Sequence, residues 1–202
     1  MLGQPDIPLL ATLLPELIRL NDAQAGLATG DAASWPVLLT RTLTEGADGY
    51  CVHATLQARP DTAELLQVVQ DIGARCAPAI PPGTDFMHYD FSPANLLTDG
   101  ATITGVIDIN APVLPGDRAF DLATLLFYGY DHHGIRAALG TRLLGLAGRQ
   151  AARAYLAHIV LRQVDWSMRH HPAAAATLRH LRLARLVITD IAATRAPWPG
   201  TT

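Results

Sequence analysis

One stretch of this chain breaks an otherwise helical pattern, and it fixes where a β-hairpin can form. Within residues 86–108, two apolar runs, Leu96-Leu97 and residues 103–107, flank Asp99-Gly100. An Asp-Gly pair between apolar runs is a strong hairpin signal, because both residues tolerate the left-handed backbone of a tight turn. A two-residue turn at Asp99-Gly100 predicts that Asp108 lies opposite Phe91. The second strand then delivers a carboxylate back beside the loop 90–95.

Elsewhere apolar residues recur at helical spacing. Residues 7–27 place Leu10, Leu13, Leu14, Leu17, Ile18 and Leu20 on one face, with Pro15 in a first turn after a short lead-in. Further helices are predicted over 35–43, 62–76, 121–130, 135–146, 149–169 and 173–194, with Asp61 as the N-cap of the second. Pro78, Pro81, Pro82 and Gly83 mark a loop, and His170-His171-Pro172 marks a turn. The arginines of the last two helices are expected on a solvated outer face. No repeat, low-complexity tract or linker divides the chain. The fold class that follows is α+β, predominantly helical, in one domain with a small hairpin.

Composition narrows the chemistry. The 202 residues include 15 basic side chains, all arginine, and no lysine. A Walker A loop, a Schiff-base amine and the phosphate-holding lysine of a kinase small lobe are therefore outside this chain's means. With 50% hydrophobic and 16% charged residues, the chain has ample material for a core. A net charge of −3, a pI near 6.2 and the lack of a basic run argue against nucleic acid or an anionic membrane as partner. No uncharged run reaches the roughly 18 residues of a spanning helix. The start, Met1-Leu2-Gly3-Gln4, lacks the positive region of a signal peptide. Cys51 and Cys76 form no disulfide framework or zinc motif, so they read as small buried groups in a reduced, cytoplasmic protein.

Chemistry concentrates in His88-Tyr89-Asp90-Phe91-Ser92-Pro93-Ala94-Asn95-Leu96-Leu97, followed by Val106-Ile107-Asp108. Two carboxylates and an amide gathered at strand ends make an oxygen-only site, which suits a hard cation such as Mg²⁺. A carboxylate left off the metal can accept a proton from a hydroxyl. Asp131-His132-His133 reads as a polar loop, since adjacent histidines diverge on a helix and no third ligand follows at useful spacing. Phe91-Ser92-Pro93 is not a nucleophile elbow, and a hydrolase triad has no support.

The order H-x-D-x-x-x-x-N, an apolar strand ending in aspartate, then Gly116-Asp117-x-x-x-Asp121 resembles the aminoglycoside phosphotransferase and choline kinase family. It is also similar to the wider protein-kinase catalytic core. The resemblance implies the C-terminal, large lobe of a protein-kinase-like phosphotransferase, whose hairpin carries the catalytic and metal-binding residues. Its parts would be a catalytic loop at 88–97, a metal-binding strand end at 106–110 and a helical subdomain at 121–195. The N-terminal nucleotide-binding lobe, with its lysine, would be absent, making the chain a truncated form. Asp90 would be the base, Asn95 and Asp108 the Mg²⁺ ligands, His88 the brace of the loop, and Asp121 the holder of its backbone. Asn110, where the family usually places an acidic residue, and Asp117 would stand behind the ligands. Tyr89 takes a place often held by glycine, and Ser92 one often held by histidine.

The implied reaction moves the γ-phosphate of ATP or GTP to a hydroxyl of a small molecule, such as an aminoglycoside, another antibiotic or an amino alcohol. Asp131 and Asp165 would meet a cationic amine. Two other readings compete. In one the chain is a catalytically inactive, pseudokinase-like scaffold, whose surface left by the missing lobe self-associates or binds a partner. In the other it is a metal-dependent hydrolase, which explains the Gly-Asp-x-x-x-Asp segment less well.

Overall fold

A computed structural model of the chain describes residues 3–109 and 115–193. Helices dominate: α1 (Ile7–Thr12), α2 (Leu14–Ala23), α3 (Ser34–Glu45), α4 (His53–Gln57), α5 (Pro60–Cys76), α6 (Ala119–Tyr128), α7 (His133–His170) and α8 (Ala175–Ala192). Between α5 and α6 lie four short strands, β1 (Asp85–Phe86), β2 (Leu96–Thr98), β3 (Ile103–Val106) and β4 (Pro115–Gly116). They form two antiparallel pairs, β1 with β4 and β2 with β3.

The helix bounds follow local chemistry. Asp6 caps α1 by accepting from Leu9 N at 2.9 Å, and Pro15 sits in the first turn of α2, where a missing N–H costs nothing. Residues 119–127 of α6 are buried on every side, as an all-apolar helix in a core must be. Asp121 and Thr124 are the polar exceptions within that span. The second half of α7 packs beside it, and an aromatic cluster joins the two helices to α3. In that cluster Trp35 meets Phe120 edge-on at 5.1 Å, and Phe120 meets Tyr155 at 5.8 Å.

Several expectations need correction. The hairpin turn is not two residues long. Leu96 pairs with Val106 and Leu97 with Gly105, but the register then slips so that Thr98 faces Ile103. Asp99 Oδ1 accepts from both Ala101 N and Thr102 N at 2.9 Å. This side-chain turn captures amides that a tight turn would have left to the ladder, so the loop lengthens. Continued past Val106, the register sets Asp108 opposite Ala94 and beside Asn95 instead of opposite Phe91.

Asp61 is not an N-cap, since α5 opens at Pro60 behind Arg59. Asp61 instead lies in the first turn and pairs with Arg185 at 2.9 Å. Asp121 is likewise inside α6, and Asp117 supplies the cap-like contact by accepting from Ala119 N at 2.9 Å. The helices expected at 135–146 and 149–169 run together as α7, but Gly148, at φ +69°, interrupts them where the sequence placed the break. Nor are the arginines of α7 all on an outer face, for Arg153 and Arg162 are buried. Each has hydrogen-bond partners, Arg153 the Ile191 carbonyl and Gln150, and Arg162 the Tyr89 carbonyl and Asp90, as a cation taken out of water requires. No helix among the described residues is long and apolar enough to cross a membrane.

Candidate active site

The loop 88–95 is fastened from three directions. From beneath, the fully buried Asp121 of α6 accepts from His88 N at 2.8 Å through Oδ2 and from Tyr89 N at 3.0 Å through Oδ1. Gln24, just past α2, donates to the same Oδ2 at 2.7 Å. Burial pushes the Asp121 carboxyl up to about 6, against the pull of those three donors and of His88. From the hairpin side, the His88 ring donates through Nε2 to Ile107 O at 2.9 Å, and Ile107 N donates to Asn95 O at 2.9 Å. Both bonds fix the backbone of the residue immediately before Asp108.

The third fastening comes from α7. Arg162 donates to Tyr89 O at 2.5 Å and to Asp90 Oδ1 at 3.0 Å. Its guanidinium also lies 4.9 Å from the Tyr89 ring centroid, a cation–π geometry. Burial alone would lower the pKa of Arg162, but the adjacent Asp90 carboxylate and neighbouring groups raise it. Tyr89 stacks on Phe120 at 5.4 Å with rings 15° apart, and its hydroxyl reaches His158 Nε2 at 3.3 Å. The Tyr89 phenol is raised well above its ordinary pKa, chiefly by burial. Tyr89 and Asp108 both hold left-handed backbone, at φ +72° and +58°.

Asp90 is the open member of this group. Its side chain is 33% exposed, while that of its partner Arg162 is 9% exposed. Asn95 Nδ2 donates to Asp90 O at 2.8 Å and to Asp90 Oδ2 at 3.2 Å. The amide nitrogen of Asn95 is thus turned to Asp90, and its oxygen is the end that could ligate a cation. With the exposed Asp108 carboxylate at the strand end, these donors are all oxygen and fit Mg²⁺ better than a softer metal. Among the described residues, no group of three or more His, Cys, Asp or Glu forms a metal cluster; an Asn–Asp pair of ligands is a different kind of site.

The remaining expected residues fall as follows. Asp117 is buried, and its Oδ2 accepts from Tyr155 OH at 2.6 Å, so it anchors α6 to α7 at the edge of the site. Burial raises its carboxyl, and the Tyr155 hydrogen bond opposes that rise. Asn110 lies outside the described residues. Asp131 and Asp165 are both neutralised within the chain. Arg179 and Arg182 reach Asp131 at 3.3 and 2.8 Å, while Arg169 clamps the buried Asp165 at 2.8 and 2.7 Å. Neither is a free carboxylate for a cationic amine. His132 caps α7 through its ring nitrogen, as a polar-loop reading of Asp131-His132-His133 allows.

Sequence reasoning missed Arg162, Tyr89 as a platform, and Gln24. Tyr89 left a trace, because it occupies a place often held by glycine, and its φ of +72° is the reason glycine suits that place. Arg162 left none; it reads as one more arginine of a long helix.

The model of the phosphotransferase enzyme family (APH) matches residues 10–155 of the chain. No curated protein and no solved structure matches it. The matched span runs from α1 into α7 and takes in the whole 88–108 segment, so the chain belongs to the phosphotransferase enzyme family.

Proposed function

We propose that this chain is the large-lobe part of a small-molecule kinase, one that moves the γ-phosphoryl group of ATP or GTP to an acceptor hydroxyl. The observation that carries this reading is the state of Asp90. It is a half-open carboxylate, oriented on one side by Arg162 and on the other by Asn95, within a loop tied to the strand that ends at Asp108. Asp90 takes the proton of the acceptor hydroxyl as its oxygen attacks. Asn95 and Asp108 would hold Mg²⁺, which when bound supplies positive charge against the phosphate oxygens. His88 and Asp121 keep the loop in place, so catalysis rests on positioning with no covalent intermediate on the protein. A lobe that covers the nucleotide would come from sequence outside residues 1–202 or from a partner chain.

A non-catalytic scaffold is the second reading, and one observation favours it. Ile107 and Ile109, on either side of Asp108, are 42% and 50% exposed, an apolar surface that another protein could cover as well as a nucleotide base could. Calorimetry with ATP and GTP separates the two. Micromolar affinity that requires Mg²⁺ is expected, whereas affinity indifferent to Mg²⁺ favours the scaffold. With a radiolabelled γ-phosphate and a panel of hydroxyl acceptors, Asp90→Asn is expected to lower transfer by about a thousandfold, within the range of general-base catalysis. A variant that keeps its rate removes Asp90 from the base role.

A further inference from the structure

Arg162 lies beyond the span that the family model matches, residues 10–155, yet it makes the closest charged contact to the proposed base. It is 7% exposed on a stretch of α7 whose neighbours, residues 151–165, are all buried. A buried ion pair is weak evidence for stability, since an apolar side chain of similar volume often serves as well. Packing alone therefore gives little reason for arginine here.

The geometry gives a better one. A guanidinium is a rigid planar fork, and this one grips two successive residues of the loop, Tyr89 through its carbonyl at 2.5 Å and Asp90 through Oδ1 at 3.0 Å. The fork is itself flanked by two aromatic rings. The Tyr89 ring lies 4.9 Å from it and the Phe120 ring 5.9 Å, while Tyr89 is tied to α7 through His158 at 3.3 Å, one helical turn before Arg162. Oδ1 of Asp90 is thus committed to Arg162. Among the described residues Oδ2 takes only the longer 3.2 Å bond from Asn95, and it is the oxygen left to face an acceptor hydroxyl. A lysine could replace the charge but not the two-pronged hold.

We propose that Arg162 is a positioning residue for phosphoryl transfer: seated on the Tyr89 ring, it fixes the rotation of the Asp90 carboxylate so that Oδ2 is presented to the acceptor. The proposal rests on Asp90 being the base. The test compares wild type, Arg162→Met, Arg162→Lys, Asp90→Asn and the Asp90→Asn/Arg162→Met double variant of the full chain. The readouts are thermal unfolding and the steady-state release of radiolabelled phosphate from MgATP or MgGTP to acceptor or water.

Arg162→Met is expected to lower kcat by about a hundredfold, the scale of a misplaced reacting group, with the nucleotide KM unchanged. Arg162→Lys recovers part of that loss, and the double variant is no slower than Asp90→Asn, because Arg162 acts through Asp90. Should Arg162→Met fail to fold, Arg162→Lys carries the same kcat-against-KM comparison. Three results overturn the proposal alone: wild-type kcat in the Arg162 variants, a loss confined to KM, or a double variant slower by the full Arg162→Met factor. An Asp90→Asn variant as fast as wild type overturns the base assignment and this proposal with it.

Discussion

Cys51, Tyr89 and Asp108 hold left-handed backbone without being glycine, at φ +56°, +72° and +58°. Each such residue costs about 1–3 kcal/mol and persists only where its surroundings over-determine it. Two of the three belong to the candidate site, and the bonds around them show what enforces the conformation. Asp121 takes the amides of His88 and Tyr89, and the two hydrogen bonds at Ile107 set the chain before Asp108. Asp121→Ala leaves two loop amides and Gln24 Nε2 without their carboxylate. The expected cost is about 3 kcal/mol, given that hydrogen bonds to charged groups contribute roughly 1.5–3 kcal/mol. It should show as a lower denaturant midpoint with an unchanged m-value. A midpoint equal to wild type would mean that the loop keeps its shape without Asp121. The motif spacing singled out Asp90, Asn95 and Asp108 as candidates, because each is a chemically constrained type at a fixed distance along one segment. Arg162 was not legible, because its partner lies 72 residues away along the chain and nothing local marks which arginine of a helix turns inward.

Among the elements, helices could be read and strand pairs could not. The period of apolar residues foretold α2, α3 and α5 to α8 to within a few residues, and Gly148 marked the break in α7. The hairpin was found but its register was not, since the Asp99 side chain and not the Asp-Gly pair sets the loop length. The pairing of β1 with β4 was invisible, as two-residue strands carry no periodicity. Helix contacts also depend on detail below the level of pattern. Gly73 of α5 lies so close to α3 that a Cβ there would come within 2.6 Å of Leu43 Cβ. Gly73→Ala must push the two helices apart, and overpacking of this kind costs about 1–3 kcal/mol. The melting temperature is expected to fall by several degrees, roughly 2–4 °C per kcal/mol for a chain of this size. An unchanged melting temperature would show that α3 can shift freely, contrary to the tight contact.

At the scale of the whole molecule, the buried His53 and His158 and the half-buried His180 set the response to acid. Burial lowers the pKa of His53, His158 and His180 below the ordinary 6.5, with His158 shifted furthest. The unfolded chain takes up protons near 6.5 that the folded chain refuses, so stability is full above that pH and is lost as pH falls below it. Each histidine contributes a slope of at most about 1.4 kcal/mol per pH unit. Asp117 and Asp121 work the other way. Their carboxyls are raised by burial, Asp121 to about 6, so the folded chain binds their protons first and gains stability as pH falls through each raised pKa. Melting temperature is therefore expected to fall as pH drops below 6.5, less steeply below about 6 than the histidines alone would give, with a shallower drop in His158→Gln. A drop as steep in that variant as in wild type would remove His158 from the account. By itself the sequence determined the helices, the place of the hairpin and the segment that carries the family's motif, because periodicity, turn residues and motif spacing are local properties. Only the tertiary structure decided the hairpin register that brings Asp108 beside Asn95, the arginines that neutralise Asp131 and Asp165, and the seating of Arg162 between Tyr89 and Asp90. The pairs of Arg162 with Asp90 and of Arg179 and Arg182 with Asp131 join residues distant in the chain, and a buried cation such as Arg162 is too costly to stand alone. The Asp99 turn and the Arg169–Asp165 pair are local side-chain contacts that no periodicity marks.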